Sequence, residues 1–241
     1  MNVPSNLVPM VDADIVVYRV GFANRSGEPL SYTLQSVKTV MESIYNTFPD
    51  APERRVYLTG KDNFRDKLAT IRVYKGNRDP LNKPEYYDEI RQYLIDYHGA
   101  EIIDGMEADD KLGIEQWKHK DRSTCIVGID KDLLCIPGYH FNWVKSSMFY
   151  QTLAEANKMY WTQVITGDTT DNIQGIPGAG PKAADKIINA SDGTWLDMHN
   201  RVLQAYETKF GGEGMKHFHE NASLLWIQRE EGINYDGKPY S

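Results

Sequence analysis

Cysteine is scarce in this chain of 241 residues: only Cys125 and Cys135, both in or beside apolar segments. That excludes a disulfide-dense scaffold and predicts two buried free thiols, as suits a reducing cytoplasm. Long apolar runs are missing too. None approaches the roughly 18 residues a membrane span needs, so no membrane partner is expected. Met1 to Val20 has no basic residue ahead of its apolar stretch and no small-residue cleavage pattern, which predicts no signal peptide. Internal repeats and low-complexity tracts are absent. Positive charge is in deficit: 27 Lys and Arg stand against 34 Asp and Glu, a net charge of −7. A coat of positive charge is thereby excluded, although a sum over the chain hides local patches.

Such patches are present. Between Arg54 and Lys83 lie Arg54, Arg55, Lys61, Arg65, Lys67, Arg72, Lys75, Arg78 and Lys83, with only Asp62, Asp66 and Asp79 opposing them. Elsewhere acid dominates in short clusters. A basic segment can hold a polyanion while separate acidic clusters hold cations. A hydrophobic content of 41% and a charged content of 25% are those of an ordinary globular protein.

Strands are expected at Leu7 to Val11, Arg54 to Leu58, Ala100 to Ile103, Ser123 to Ile129 and His140 to Val144, with helices between them. Helical spacing predicts helices over Ile15 to Phe22, Leu34 to Phe48, Pro84 to Gly99 and Ala108 to Trp117. Alternating strands and helices imply an α/β fold, a mainly parallel sheet with helices on both faces. Ligands of such sheets collect beyond the carboxyl ends of the strands. From Tyr160 onward no convincing strand is present, so residues 1–160 are expected to form the α/β part and 161–241 a helical region. The closing segment "INYDGKPYS" predicts a loose tail.

The carboxylates fall where those strands end. Asp12 closes the first, Glu107, Asp109 and Asp110 lie past the third, and Asp130 and Asp132 follow the fourth. Asp168 and Asp171 come just before the glycine-rich turn Gly175 to Lys182. Glu107 and Asp110 are expected to share a helix face. At about 4 Å, two like charges repel by roughly 4 kcal/mol at an effective dielectric near 20, so protonation or a bound cation must compensate. Oxygen donors without Cys or His select hard ions such as Mg²⁺ or Mn²⁺. Two such ions, about 3.5–4 Å apart, suit phosphodiester cleavage. Taken singly, each of these acids is a common turn or helix-cap residue; the set in this order is not.

The glycine turn adds a second chemistry. Gly178 and Gly180 allow positive φ and close backbone approach. Pro181 suits the first turn of a helix, whose free N–H groups, with Lys182 beside them, form a phosphate site.

The order "VDAD", "YKGNR", "EADD", "DKDL" and "GDTTDNIQGIPGAGPK" resembles the 5′ nuclease superfamily, which includes flap endonucleases, the 5′ nuclease domain of bacterial DNA polymerase I and phage 5′–3′ exonucleases. The resemblance covers roughly Val8 to Ala190. It implies a PIN-like parallel sheet with a C-terminal helix–three-turn–helix motif that grips duplex DNA. It also implies a two-metal site: Asp12, Glu107, Asp109, Asp110 and Asp130 for one Mg²⁺ or Mn²⁺, and Asp130, Asp132, Asp168 and Asp171 for the other. By the same resemblance Lys75 and Arg78 lie near the scissile phosphate, Tyr74 stacks on an unpaired base, and about 75–97 forms an arch for single strands. Gly175, Gly178, Gly180 and Lys182 match the duplex-binding turn, which in relatives can hold K⁺. The implied substrates are DNA with 5′ ends or 5′ flaps, and the RNA of RNA–DNA hybrids, cut by a monomer. One departure is visible. Many members carry Asp at the end of the second strand, where this chain has Leu58-Thr59-Gly60, with Asp62 nearby at a different spacing.

The residues also admit a non-catalytic DNA-binding module with one structural ion, and a PIN-type ribonuclease. The helix–three-turn–helix segment counts against the ribonuclease, because it suits a duplex backbone. Trp117, Trp161, Trp195 and Trp226 are expected in the core, and the pair His217 and His219 lacks the partners for zinc. Lys61, Arg65, Lys67 and Arg72 are read equally as a solvated face or a DNA contact.

Overall fold

Val8–Asp12 (β1) is buried along its whole length, as a central strand covered on both faces must be. The computed structural model describes residues 4, 6–24, 27–79, 82–119 and 123–238. In it β1 pairs in parallel with Arg55–Thr59 (β2) on one side and Thr124–Val127 (β4) on the other. Glu101–Ile103 (β3) lies parallel beyond β2, and Gly138–Asn142 (β5) parallel beyond β4. Ser147–Gln151 (β6) closes the edge antiparallel to β5, giving the order β3-β2-β1-β4-β5-β6. No strand was expected at β6. It is a half-exposed edge strand whose residues say little by themselves, and its hairpin pairing with β5 decides its conformation.

Alternate strand residues serve opposite faces. Val11, Leu58, Cys125 and Val127 pack with Val16, Val17, Met41, Ile44, Ile90 and Leu94. These helical residues come from Ala13–Ala23 (α1), Leu30–Thr47 (α2) and Tyr87–His98 (α4), the last stopped by Gly99 at φ 65°. On the other face Met10, Tyr57 and Ile126 pack with Ala108 and Leu112 of Ala108–Lys118 (α5). Both cysteines are buried and free.

A third core belongs to Leu153–Thr166 (α6), Pro181–Asn189 (α7), Trp195–Phe210 (α8) and Gly214–Leu224 (α9). Trp161, Trp195, Tyr206, Phe218 and Trp226 fill it, whereas Trp117 is only half-buried. The expected boundary at residue 160 falls inside α6, whose Tyr160 and Trp161 both pack in this core. Between α6 and α7, where no strand was expected, the two-residue strands Gly167–Asp168 (β7) and Ile173–Gln174 (β8) form a hairpin. Gly167 at φ 72° and Gly175 cross so closely that a Cβ on either would strike the other's backbone. The closing segment is no loose tail over its described part. Tyr235 is buried against Tyr160 and Trp226, and residues 239–241 lie outside the described residues.

Arg65, which opens the short helix Arg65–Leu68 (α3), is neither solvated nor placed to meet DNA. It is 2% exposed. Its guanidinium donates to both oxygens of Asp110 at 2.6 and 2.9 Å and to the carbonyls of Leu224 and Trp226 at 2.9 and 2.7 Å. One buried charge thereby ties α5 to the chain after α9. Removing one member of a buried pair strands the other, at a cost of about 3–5 kcal/mol. Arg65→Met is therefore expected to lower unfolding free energy by that amount in urea titrations, and Arg65→Met with Asp110→Leu to recover part of it. An unchanged midpoint for the single variant would show the pair to be dispensable.

Candidate active site

Parallel strands end at one edge, and there the fold gathers its acids. Asp12 is both the last residue of β1 and the N-cap of α1, accepting from the Ile15 N–H at 3.3 Å. Glu107 and Asp109 open α5. Asp130 follows β4, and Asp132 starts a 3₁₀ turn over Asp132–Cys135. Asp168 sits in β7, and Asp171 in the turn before β8.

Electrostatics divides these acids into two groups with Asp130 common to both. Burial pushes the Asp12 carboxyl up to about 8, with Asp14 and Asp130 adding to it. Asp109 is driven well up by burial, then by Asp12, Asp130 and Glu107. In the second group burial pushes Asp132 up to about 7, aided by Asp130, Asp168 and Asp171.

Cations from the chain offset part of the crowding. Lys75 pairs with Glu107 and stands 3.8 Å from Asp171, and Arg78 pairs with Asp171. Lys131 reaches Asp168 at 2.9 Å and Asp132 at 3.7 Å. Burial alone would raise Glu107 and Asp168; the bonds and charges of Lys75 and Arg65 on the first, and of Lys131 on the second, outweigh it and hold both below the ordinary range.

Lys75 and Arg78 arrive there because their turn is stitched to the turn that carries Asp171. The Lys75 N–H donates to the Asp171 carbonyl at 2.9 Å, and Asn172 donates to the Val73 carbonyl at 2.9 Å. Asn77 donates to the Thr169 carbonyl at 2.6 Å. Lys75 itself is held at φ 54°, a sparsely populated conformation for a residue with a side chain. Beyond it residues 80–81 of the expected arch lie outside the described residues.

Three residues stand differently from expectation. Tyr74 is 6% exposed, with its ring in the C-terminal core, so it offers no face to an unpaired base. Its hydroxyl lies 2.9 Å from Glu107 and 2.8 Å from Asp171, a strut shared by the two acidic groups. Asp110 lies beside Glu107 at the start of α5, as expected, and both meet Arg65 Nη1, at 2.6 and 3.5 Å, but its side chain is committed inward. It turns inward, is fully buried, and accepts from Arg65, from the Gln228 N–H at 2.9 Å and from the Glu107 N–H at 3.1 Å. Its two oxygens are thus fully engaged by Arg65 and by backbone N–H groups. Asp14 is the residue the sequence reasoning missed. It lies beside Asp12 in "VDAD", and burial raises its carboxyl, with Glu107 adding to the rise. The signal was there, because a strand-to-helix junction aims the N-cap and the second helical residue at the same end.

The glycine turn borders a groove of about 650 Å³ lined by Arg72, Asn77, Thr169, Gln174, Gly178 and Gly180 among others. Gly178 takes φ 84°, and Gly180 is the N-cap of α7 with Pro181 at the first helical position. Lys182 is exposed one residue on.

The donor set suits a hard divalent cation: oxygen only, with no ion-pair partner for Asp12, Asp109 or Asp130 among the described residues. Among those residues no three acidic, His or Cys side chains converge closely enough to enclose one ion in this conformation.

No family model matches the chain. The exonuclease of Escherichia phage T7 is 31% identical to it over 137 residues, which make up 54% of this chain and 45% of that protein. The chain thus spans under half the length of that relative. Bacteriophage T5 5′-exonuclease, solved with divalent zinc bound, superposes with a TM-score of 0.65 at 20% identity, covering 91% of this chain and 89% of that one. T5 flap endonuclease, solved as a pseudo-enzyme-product complex with DNA and metal ions, gives 0.63 at 19% identity over 91% of this chain and 89% of that one. The six-stranded sheet, its flanking helices and the C-terminal helical region are the fold of these proteins. Sequence relatives and fold together support the resemblance to the 5′ nuclease superfamily.

The raised acids carry a sign for stability. Asp12 and Asp132, ordinarily ionised above 3.8, keep protons in the fold up to about 8 and about 7. Between those values the native state binds more protons than the unfolded chain, so stability falls as pH rises. The buried His140, lowered from 6.5 to about 4, acts the opposite way only below 6.5. Thermal melts of metal-free protein in EDTA are expected to fall from pH 6.5 to pH 8. A flat or rising Tm would show that these carboxyls are not held protonated.

Proposed function

We propose that the chain is a metal-dependent, structure-selective 5′ nuclease of DNA, acting as a 5′–3′ exonuclease and flap endonuclease. The observation that carries this is the pair of acidic groups sharing Asp130 at the sheet edge, with Lys75 and Arg78 presented between them. Asp12, Glu107, Asp109 and Asp130 would hold one Mg²⁺ or Mn²⁺, and Asp130, Asp132, Asp168 and Asp171 a second. Asp110 has no free part in either, since Arg65 and two backbone N–H groups occupy it. When bound, such ions supply an activated water and charge relief on the phosphoryl oxygens. T5 flap endonuclease has been solved with DNA and metal ions, which supports both halves of the proposal.

The chain's own residues do the rest. Lys75 and Arg78 hold the oxygens of the scissile phosphate, fixed in place by the turn that joins them to Asp171. The N–H groups around Gly178 and Gly180 and the charge of Lys182 grip the duplex backbone, and the glycine turn would hold a K⁺ that adds positive charge there. Gly175 keeps the hairpin beneath that turn closed. Phosphate contacts give position without reading bases, so flaps and recessed 5′ ends of any sequence, and the RNA of hybrids, fall in one substrate class. Cleavage draws on the part up to about residue 160 together with Asp168 and Asp171, and the duplex grip belongs to the glycine turn and helices that follow. One copy of the chain carries every group used, and a reducing cytoplasm keeps Cys125 and Cys135 as thiols.

The test is cleavage of a 5′-labelled flap duplex by wild type, Asp130→Ala and Asp171→Ala across a Mg²⁺ titration with an EDTA control. Both variants are expected to lose about a hundredfold or more in rate while still binding the duplex. Binding without cleavage by wild type, in Mg²⁺ or Mn²⁺, would replace this proposal with a DNA-binding module; faster cleavage of single-stranded RNA would replace it with a ribonuclease. Lys182→Ala is expected to reduce the slope of log affinity against log salt by about one. An unchanged slope would remove Lys182 from the interface.

A further inference from the structure

The carboxylates of the second acidic group are not all held in the same way. Lys131 holds Asp168 and Arg78 holds Asp171, each by a full positive charge. Asp132 has a neutral donor instead: the Gln163 amide of α6 donates from Nε2 to its Oδ1, while Lys131 stands 3.7 Å from the same oxygen. The other end of the amide is also engaged, because Gln163 Oε1 accepts the Cys135 thiol at 2.8 Å. Cys135 closes the 3₁₀ turn that Asp132 opens, and its carbonyl accepts from Arg229 at 2.5 Å. At the start of that turn the Asp132 N–H donates to Asp130 Oδ1 at 2.9 Å.

Gln163 is 3% exposed. The other buried residues of α6 are Ala156, Tyr160, Trp161, Val164 and Ile165, and packing alone favours a similar apolar side chain at this position. An amide buried among them costs free energy unless its polar ends are paired. The Cys135 thiol is a weak donor, so the strong partner is the Asp132 carboxylate. That carboxylate requires the NH₂ end, and the thiol hydrogen suits the oxygen end, which leaves the amide one orientation. A neutral donor fixes the carboxylate without cancelling its charge.

Resting on the metal-dependent activity proposed above, we infer that Gln163 is the positioning residue of Asp132. From the core of the helical region it holds Oδ1 and sets the plane of the carboxylate. Oδ2, which accepts no hydrogen bond among the described residues, is left for the second divalent cation. A partner that orients a metal-binding side chain in this way is typically worth about tenfold or more in metal affinity.

The experiment is calorimetric titration of the full chain with Mn²⁺, backed by electron paramagnetic resonance counts of bound Mn²⁺ and by melting in EDTA as the control for folding. Wild type, Gln163→Met, Asp132→Asn and the double variant Gln163→Met/Asp132→Asn are compared. Asp132→Asn identifies the ion that depends on Asp132. Gln163→Met, which keeps the length of the side chain and suits the core, is expected to weaken that same ion about tenfold and to leave the other unchanged. The double variant is expected to bind no more weakly than Asp132→Asn alone, because Gln163 acts only through Asp132. Gln163→Asn, which keeps the amide but withdraws it by one methylene, is the second variant should Gln163→Met fail to fold, and the same selective loss is expected of it. Wild-type affinity in the Gln163 variants overturns the inference. So does an equal loss at both ions, or a double variant weaker than Asp132→Asn by the full Gln163→Met factor, either of which reduces Gln163 to a packing residue of α6. If wild type itself takes up no Mn²⁺, the metal-dependent activity fails first and the inference falls with it.

Discussion

Mutual repulsion among carboxylates at the sheet edge is the constraint around which this molecule is arranged. Asp12, Asp109, Asp130 and Asp132 cannot all be ionised close together without compensation. The fold answers in two ways. Asp12, Asp109 and Asp132 are pushed toward the protonated form. Glu107, Asp168 and Asp171 receive Lys75, Lys131 and Arg78. The same cations are the groups that would meet a phosphate, so acids and bases at this edge hold one another ready.

That arrangement depends on parts far apart in the chain. The turn carrying Lys75 and Arg78 is bonded to the turn carrying Asp171, which the β7–β8 hairpin suspends between α6 and α7. Tyr74 then touches both acidic groups with one hydroxyl while its ring anchors in the aromatic core of the C-terminal helices. Arg65 makes the second fastening, binding Asp110 of α5 and the carbonyls of Leu224 and Trp226. The helical region and the sheet edge are consequently mechanical parts of one site. A change in the aromatic core would be felt at Glu107 and Asp171 through Tyr74.

Much of this could be read from the residues alone. Apolar runs with β-branched residues marked the strands β1, β2 and β4 within a residue or two, because buried parallel strands leave an unambiguous composition. β6 gave no such signal, since an edge strand half open to water needs little apolar content. Tyr74 hides its place for a related reason: a tyrosine beside a lysine and near an arginine has the local pattern of a surface residue, while its ring packs in a core contributed by residues far along the chain. Arg65 was similarly hidden, because nothing local announces a carboxylate 45 positions away.

By itself, then, the amino-acid order determined the alternation of strands and helices, the placing of acids at strand ends and the glycine turn before α7, because each of these is a matter of short-range spacing and backbone geometry. Only the tertiary structure decided which acid faces which. It turned Asp110 inward onto Arg65, brought Asp14 to the end of β2, and set Tyr74 between Glu107 and Asp171. Partners across a fold are chosen by burial and by the need to satisfy every buried charge, and neither is settled by neighbours in the chain.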